Sequence, residues 1–212
     1  MTLQGIDVSA AGQGANFNWN AYRGRIGFAG VKISEGTTYA DPAALRNVTA
    51  AHALDIPVIG YHFLHNGTGG QGGAPQAEWF LKCAAEAGLR PGHDLMAADV
   101  EDGGLGDVNR NSAADVEQAL LHFDLVAAGF GNEVASHYRP GYWPGIYTEI
   151  SIAPKLVHCG KGFLWLANPS GRAIKSIGPW RLVSFEQTGQ KGVDTDVFCG
   201  SAGDLAKLAF SK

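Results

Sequence analysis

Short apolar, β-branched runs alternate with helix-patterned segments along most of this chain, and that alternation constrains the fold more than any single motif. The runs fall at residues 5–9, 28–34, 56–63, 95–101, 145–148, 162–167, 181–186 and 192–198. Helical spacing marks residues 19–23, 42–54, 75–87 and 112–128, with a shorter stretch at 150–157. Asp41-Pro42 and Ala74-Pro75 read as helix starts, because proline is tolerated in the first turn, where its missing N–H costs nothing. The last three runs follow one another with only Gly, Pro, Ser and Asn turns between them. Repeated strand–helix–strand units give a parallel sheet, and eight strands in about 200 residues is the count for a closed α/β barrel. No Pro/Ser-rich linker or charge run divides the 212 residues, so the expectation is one domain over residues 1–212.

Composition removes several classes of function. With 45% hydrophobic and 17% charged residues, the chain can bury a substantial core and lacks the signature of disorder. The formal charge is −4, and the sixteen Lys and Arg form no basic stripe, which argues against a nucleic-acid partner. Membrane insertion is not expected, since no apolar run approaches the roughly 20 residues of a span. The start, Met1-Thr2-Leu3-Gln4-Gly5-Ile6-Asp7, carries no basic and apolar signal region, so synthesis in a cytoplasm is expected. Cys83, Cys159 and Cys199 are widely spaced and form no C-x-x-C pair, and read as three free thiols buried as small apolar residues.

In a closed barrel of this kind, chemistry gathers at the carboxyl ends of the strands. The polar residues there are Asp7, Ser9, Lys32, Ser34, Glu35, Tyr61, His62, Asp99, Glu101, Tyr147, Asn168, Glu186, Gln187, Asp194 and Asp196. Asp99 and Glu101 end an apolar run two residues apart. On a strand they face the same way, about 7 Å apart, where like charge raises the pKa of one member and leaves a proton donor beside an anion. Among the five tryptophans, Trp143, Trp165 and Trp180 suit either the core or a sugar-stacking platform.

Two other motifs compete. Gly67-Thr68-Gly69-Gly70-Gln71-Gly72 matches G-x-G-x-x-G, but its third glycine should lie inside a helix, and Pro75 puts the helix start after it. A mobile surface loop over residues 66–73, at the barrel mouth, is the better expectation. His62 and His65, near Asp7 and Asp99, suggest a metal, yet neither H-E-x-x-H nor a histidine cluster supports one, and a histidine satisfied in the core explains His62 more simply.

Taken together, Gly5-Ile6-Asp7-Val8-Ser9, Val31-Lys32-Ile33-Ser34-Glu35-Gly36, Tyr39-Ala40-Asp41-Pro42, Gly60-Tyr61-His62-Phe63, Ala98-Asp99-Val100-Glu101 and Gly192-Val193-Asp194-Thr195-Asp196-Val197-Phe198 resemble the family-25 glycoside hydrolases, the N-acetylmuramidase lysozymes. The order and spacing match over nearly the whole chain. The resemblance implies an irregular TIM-like barrel of five β/α units followed by three strands, and cleavage of the β-1,4 bond after N-acetylmuramic acid in peptidoglycan. By position it implies Glu101 as general acid/base, Asp99 as its partner carboxylate, Asp7 and Asp194 as flanking acids, and Tyr61 at the reacting sugar. Lys32, Glu35, Tyr147, Trp165 and Gln187 complete the expected substrate-binding set. The chain departs from the family at Ser9-Ala10-Ala11-Gly12-Gln13-Gly14, which lacks a tryptophan, and at Phe185-Glu186-Gln187-Thr188, where Trp-Gln-Tyr is common.

A substrate carrying a 2-acetamido group can supply its own nucleophile. Asp99 is then expected to orient the acetamide N–H and stabilise the developing positive charge, while Glu101 gives up and later recovers a proton. Like-charge repulsion from Asp7, Asp99 and Asp194 is expected to raise the Glu101 pKa, with burial second. No metal, nucleotide or flavin is needed. The rival classes are a non-catalytic carbohydrate-binding barrel, a metal-dependent hydrolase using His62, Asp7 and Asp99, and a chitinase-like barrel, which would carry a longer D-x-x-D-x-D-x-E strand. The resemblance further suggests the catalytic domain of a bacteriophage endolysin, released to the wall at lysis without a signal peptide.

Overall fold

The computed structural model describes residues 2–13, 17–67, 72–106, 113–138, 141–189 and 193–210. Strands β1 (Leu3–Val8), β2 (Phe28–Glu35), β3 (Tyr39–Ala40), β4 (Val58–Phe63), β5 (Leu95–Val100), β6 (Gly145–Glu149), β7 (Leu164–Ala167), β8 (Phe185–Gly189) and β9 (Asp194–Phe198) form one sheet. Its order is β1-β9-β8-β7-β6-β5-β4-β2-β3, and pairing of β1 with β2 closes eight strands into a barrel. β3 is a two-residue antiparallel hairpin arm on β2 outside the closure. Seven strands run parallel, and β9 runs antiparallel between β8 and β1.

The eight expected barrel strands are all present. The seventh expected run lies four residues early, since β8 starts at Phe185 and not at 181. Residues 168–184, between parallel β7 and β8, contain no helix. The expected helices at 19–23 and 150–157 are short 3₁₀ turns, Trp19–Tyr22 and Ala153–Lys155, and a small helix α1 (Ala10–Gln13) follows β1. α2 (Ala44–His52), α3 (Gly73–Ala87) and α4 (Ala113–His137) cover the outer face, and α5 (Ala202–Phe210) follows β9 without having been expected.

Helix α3 forms because Ala77, Phe80, Ala84 and Ala87 recur at three- and four-residue spacing and bury one stripe. Phe123, Ala127, Phe130 and Val134 do the same on α4. At the α3 start, a Cβ on Gly73 would lie 2.2 Å from Val126 O, so only glycine lets the two backbones approach. The ends of the expected loop at 66–73 are therefore packed: Asn66 is buried against His122, and Gly73 opens α3. Thr68 to Gln71 lie outside the described residues, as do Gly14 and Gly192 of the quoted motifs.

Inside the barrel, aromatic rings fill the end away from the strand carboxyl termini. Phe185 packs on Phe28 at 5.1 Å, on Phe163 at 5.1 Å and on Phe198 at 4.8 Å between ring centroids. Fully burying one such ring is worth about 1.5–3 kcal/mol. Trp165 packs over Phe185 at 6.2 Å between ring centroids and meets Tyr61 and Tyr147 on its other side. Cys83 and Cys159 are buried thiols as expected, whereas Cys199 is exposed, because the chain turns outward after β9.

Candidate active site

The strand carboxyl ends enclose a cavity of about 210 Å³ lined by Asp7, Tyr61, Asp99, Glu101, Tyr147, Trp165, Gln187 and Asp194. These eight are all from the sequence-expected set. β9 contributes Asp194 to the same rim because it runs antiparallel, so its first residue meets the far end of β1, with Asp7 opposite Asp194 and Gly5 opposite Asp196. Lys32 and Glu35 do not line the cavity. Lys32 Nζ bonds Glu35 Oε2 at 2.7 Å, His65 Nε2 meets Glu35 Oε1 at 3.0 Å, and the ammonium lies 4.8 Å from the Phe63 ring centroid.

A hydrogen-bonded chain runs across the cavity floor. Tyr147 OH donates to Gln187 Oε1 at 3.1 Å, and Gln187 Nε2 donates to Asp7 Oδ2 at 3.2 Å. Asp7 contacts the Asp196 carboxyl, and Trp165 Nε1 donates to Asp196 Oδ1 at 2.8 Å. Trp165 is 1% exposed and meets Tyr61 and Tyr147 edge to face, so it presents little ring surface to a sugar and holds the floor. Gly30 makes room for it: a Cβ there would lie 2.5 Å from Trp165 Cη2 and 2.7 Å from Asp7 Cβ.

Burial raises the pKa of each of these acids. Burial, then Asp194, pushes Asp7 up to about 7, while the Gln187 bond opposes the rise. Burial and the neighbouring Asp7 push Asp196 up to about 9. Asp99 is raised well above the carboxylate range by burial and then by Glu101, and among the described residues its buried Oδ1 has no hydrogen-bond partner. Glu101 is raised by burial first and Glu149 second, with Lys32 opposing. This reverses the expected order of causes. It also names Glu149 as the leading charge, ahead of Asp194. Asp194 is raised by burial alone, and both Tyr61 and Tyr147 stay neutral donors because burial raises them too.

Two residues important to this arrangement escaped the sequence-based assignment. Asp196 was visible at a strand end, but its place under Asp7 depends on the antiparallel register of β9. Glu149 ends β6 and carried no motif; only its strand neighbour could have flagged it. His62, by contrast, points to the opposite face from Tyr61 and Phe63, stacking on Phe130 at 5.1 Å, with Nδ1 2.9 Å from Ser34 Oγ. Burial lowers its pKa to about 3, so it is a neutral core histidine, unable to join Asp7 and Asp99 around a metal. Among the described residues, one His/Asp group has ligand-like spacing, His52, His93 and Asp94, at the other end of the barrel. There the Asp94 oxygens already accept the amides of Val58 at 3.0 Å and Arg90 at 2.7 Å.

A closed barrel with one antiparallel strand and a carboxyl-rich mouth defines a glycoside hydrolase class, and the sequence agrees. The profile of the glycosyl hydrolases family 25 matches residues 6–193, and this chain belongs to that family. A family GH25 lysozyme from Aspergillus fumigatus is 27% identical, with a TM-score of 0.78, covering 99% of both chains. The bacterial lysozyme of Streptomyces coelicolor is 26% identical with a TM-score of 0.77, covering 98% of this chain and 97% of the other. A muramidase from Trichobolus zukalii is 26% identical with a TM-score of 0.74, covering 99% of this chain and 100% of that one. The catalytic domain of endolysin Ply40, from a Listeria monocytogenes phage, shares the fold at 19% identity and a TM-score of 0.68, covering 100% of this chain and 98% of that one. No curated protein sequence matches. Among the described residues, no helix is long and apolar enough to cross a membrane.

Proposed function

We propose that this protein is a retaining N-acetylmuramidase that cleaves the β-1,4 bond after N-acetylmuramic acid in peptidoglycan. The observation that carries the reading is the pairing of Asp99 and Glu101 in one cavity, with a buried Asp99 oxygen that lacks a donor. An acetamide N–H is the donor that such a substrate would bring. A developing positive charge nearby, together with that hydrogen bond, favours the Asp99 anion, and the anion in turn favours the proton on Glu101.

Glu101 then protonates the leaving oxygen as the C–O bond breaks, and the substrate's own acetamide oxygen closes on the anomeric carbon. Water returns to the face vacated by the leaving group, giving its proton to Glu101, so two inversions leave net retention. Asp7 and Asp194 line the cavity as flanking acids, with Tyr61 as a neutral donor to the sugar, while Tyr147, whose O–H is given to Gln187, offers its oxygen as an acceptor. The place of action that follows is the bacterial cell wall. Delivery at host lysis fits a barrel that phage endolysins share.

Borohydride reduction of digested peptidoglycan tests the bond choice. Muramic acid should be converted to its alditol, and the first-formed reducing end should be the β-anomer. Dominant glucosaminitol would mark a glucosaminidase instead. An initial α-anomer would mean direct attack by water, with an acid serving as base.

A further inference from the structure

β5 and β6 are parallel neighbours, with Asp99 opposite Tyr147 and Val100 opposite Thr148. One step beyond, at the ends of the two strands, stand Glu101 and Glu149. Side chains alternate along a strand, so these two share a face with Asp99 and Tyr147, and neighbouring strands run about 4.8 Å apart. The register therefore puts a second carboxylate beside the first.

A second cavity supports this independently. It measures about 300 Å³ and is lined by Glu101, Tyr147, Glu149, Ser151, Asn168 and Arg172 among others, while Asp7, Asp99 and Asp194 line only the first cavity. Glu101 and Tyr147 line both cavities and form the wall between them. An acid that protonates a glycosidic oxygen stands between the sugars it separates, so the second cavity lies on the leaving-group side. Glu149 is anchored there: Oε1 accepts the Asp102 N–H at 3.4 Å, and Oε2 accepts Ser151 Oγ–H at 3.3 Å. The first of these bonds ties Glu149 to the residue that follows the acid.

We propose that Glu149 is a positioning residue for Glu101, a carboxylate that the β5–β6 register sets beside the acid and that holds the proton on it until the leaving oxygen takes it. The inference rests on reading Glu101 as the acid. The groups facing Glu101 are Glu149 from β6, Lys32 from β2, Asp194 from β9, Asp99 from β5, Asp7 from β1, its neighbour Asp102, and Tyr147. Burial is the largest reason that Glu101 binds its proton tightly, Glu149 is the largest charge acting the same way, and Lys32 opposes both.

A carboxyl ¹³C NMR titration of glutamate-labelled protein, assigned with Glu101→Gln and Glu149→Gln, tests the pair without relying on turnover. In the wild type, the Glu101 carboxyl should titrate in more than one step, because it senses the neighbouring carboxylate. In Glu149→Gln, Glu101 should titrate lower by on the order of one unit, and the alkaline limb of the wall-lysis profile should move down with it. Glu149→Asp, which keeps the charge, should restore most of the limb. A single-step Glu101 curve in the wild type, or an unmoved Glu101 in Glu149→Gln, would overturn the proposal, as would equal displacement in Glu149→Asp. Full activity in Glu101→Gln would instead sink the reading of Glu101 as acid, and the titration would still report whether the two carboxylates are coupled.

Discussion

Trp165 donates its indole N–H to Asp196 Oδ1 at 2.8 Å, and this fixes an acid that the open cavity does not expose. Asp196 is fully buried, and its other oxygen finds no ordinary donor but meets Asp7. Two carboxyls in contact favour a single shared proton, because burial disfavours a second charge. Asp196, raised to about 9, keeps it at neutral pH and donates to Asp7.

This proton makes stability depend on pH. The folded values of Asp196 and Asp7, about 9 and about 7, lie above the ordinary 3.8, so the folded state binds more protons than the unfolded chain between these limits. The contribution is fully present below pH 4 and is lost as pH rises through 7 for Asp7 and 9 for Asp196. Asp196→Asn imitates the protonated acid, with one atom accepting from Trp165 and the amide donating to Asp7. Its Tm should gain on the wild type as pH rises from 5 to 8. At about 1.4 kcal/mol per proton and pH unit, and about 2–4 °C per kcal/mol for a chain of this size, the gap should widen by several degrees. Thermal scans showing a constant gap would mean that the two carboxyls share no proton.

Glu101→Gln should keep the fold and lose wall-lytic activity by at least about a hundredfold, the usual worth of a positioned proton donor. The amide fills the same space and cannot give up an acidic proton. Turbidity loss of purified walls, alongside circular dichroism of the variant, checks this; wild-type rates from a folded variant would remove Glu101 from the mechanism.

Asp99→Asn should cost about 3–4 kcal/mol of transition-state stabilisation, a drop of roughly two to three orders of magnitude in kcat. The pH profile separates its role from that of Glu101. Burial and then the Glu101 charge raise Asp99, and a charge interaction acts on both partners, so neutralising Asp99 should move the alkaline limb to lower pH. An unmoved limb would show the two acids to be uncoupled.

Much of this architecture could be read from the chain. Eight apolar runs marked the barrel because strands covered on both faces read as short, nearly continuous apolar stretches, and that and β-branching are local properties. The strand-end rule gathered Asp7, Asp99 and Glu101 with other polar residues, the family resemblance singled them out together with Asp194, and Asp194 reaches the same rim only because it begins an antiparallel strand. What stayed hidden depends on register and on which face a side chain takes. Phe185 begins β8, yet the apolar Leu182 and Val183 before it extended the expected strand backwards. Lys32 shares the inward face with Gly30 but turns to Glu35 and Phe63, a choice between partners that spacing cannot show. Asp196 and Glu149 acquire their meaning from neighbours on other strands, Asp7 and Glu101, far away in sequence.

Two glycines on different elements give a paired prediction about space near the site. On Gly30 of β2, a Cβ would lie 2.5 Å from Trp165 Cη2 and 2.7 Å from Asp7 Cβ, and neither neighbour is the free end of a flexible chain. Gly30→Ala should therefore destabilise by about 1–3 kcal/mol, as overpacking does, and should displace the indole that anchors Asp196. Activity should fall further than stability alone explains, because the displacement passes through Asp7 into the cavity. On Gly131 of α4, the nearest atom to a Cβ is Pro144 Cγ at 3.9 Å, an ordinary contact, so alanine there only relieves the backbone entropy cost of glycine in a helix. Gly131→Ala should stabilise by about 0.5–1 kcal/mol and leave the rate unchanged. Denaturant titrations with wall-lysis assays on both variants decide the matter: equal stability changes, or a fully active Gly30→Ala, would show that the Trp165 floor tolerates movement and does not set the position of Asp7.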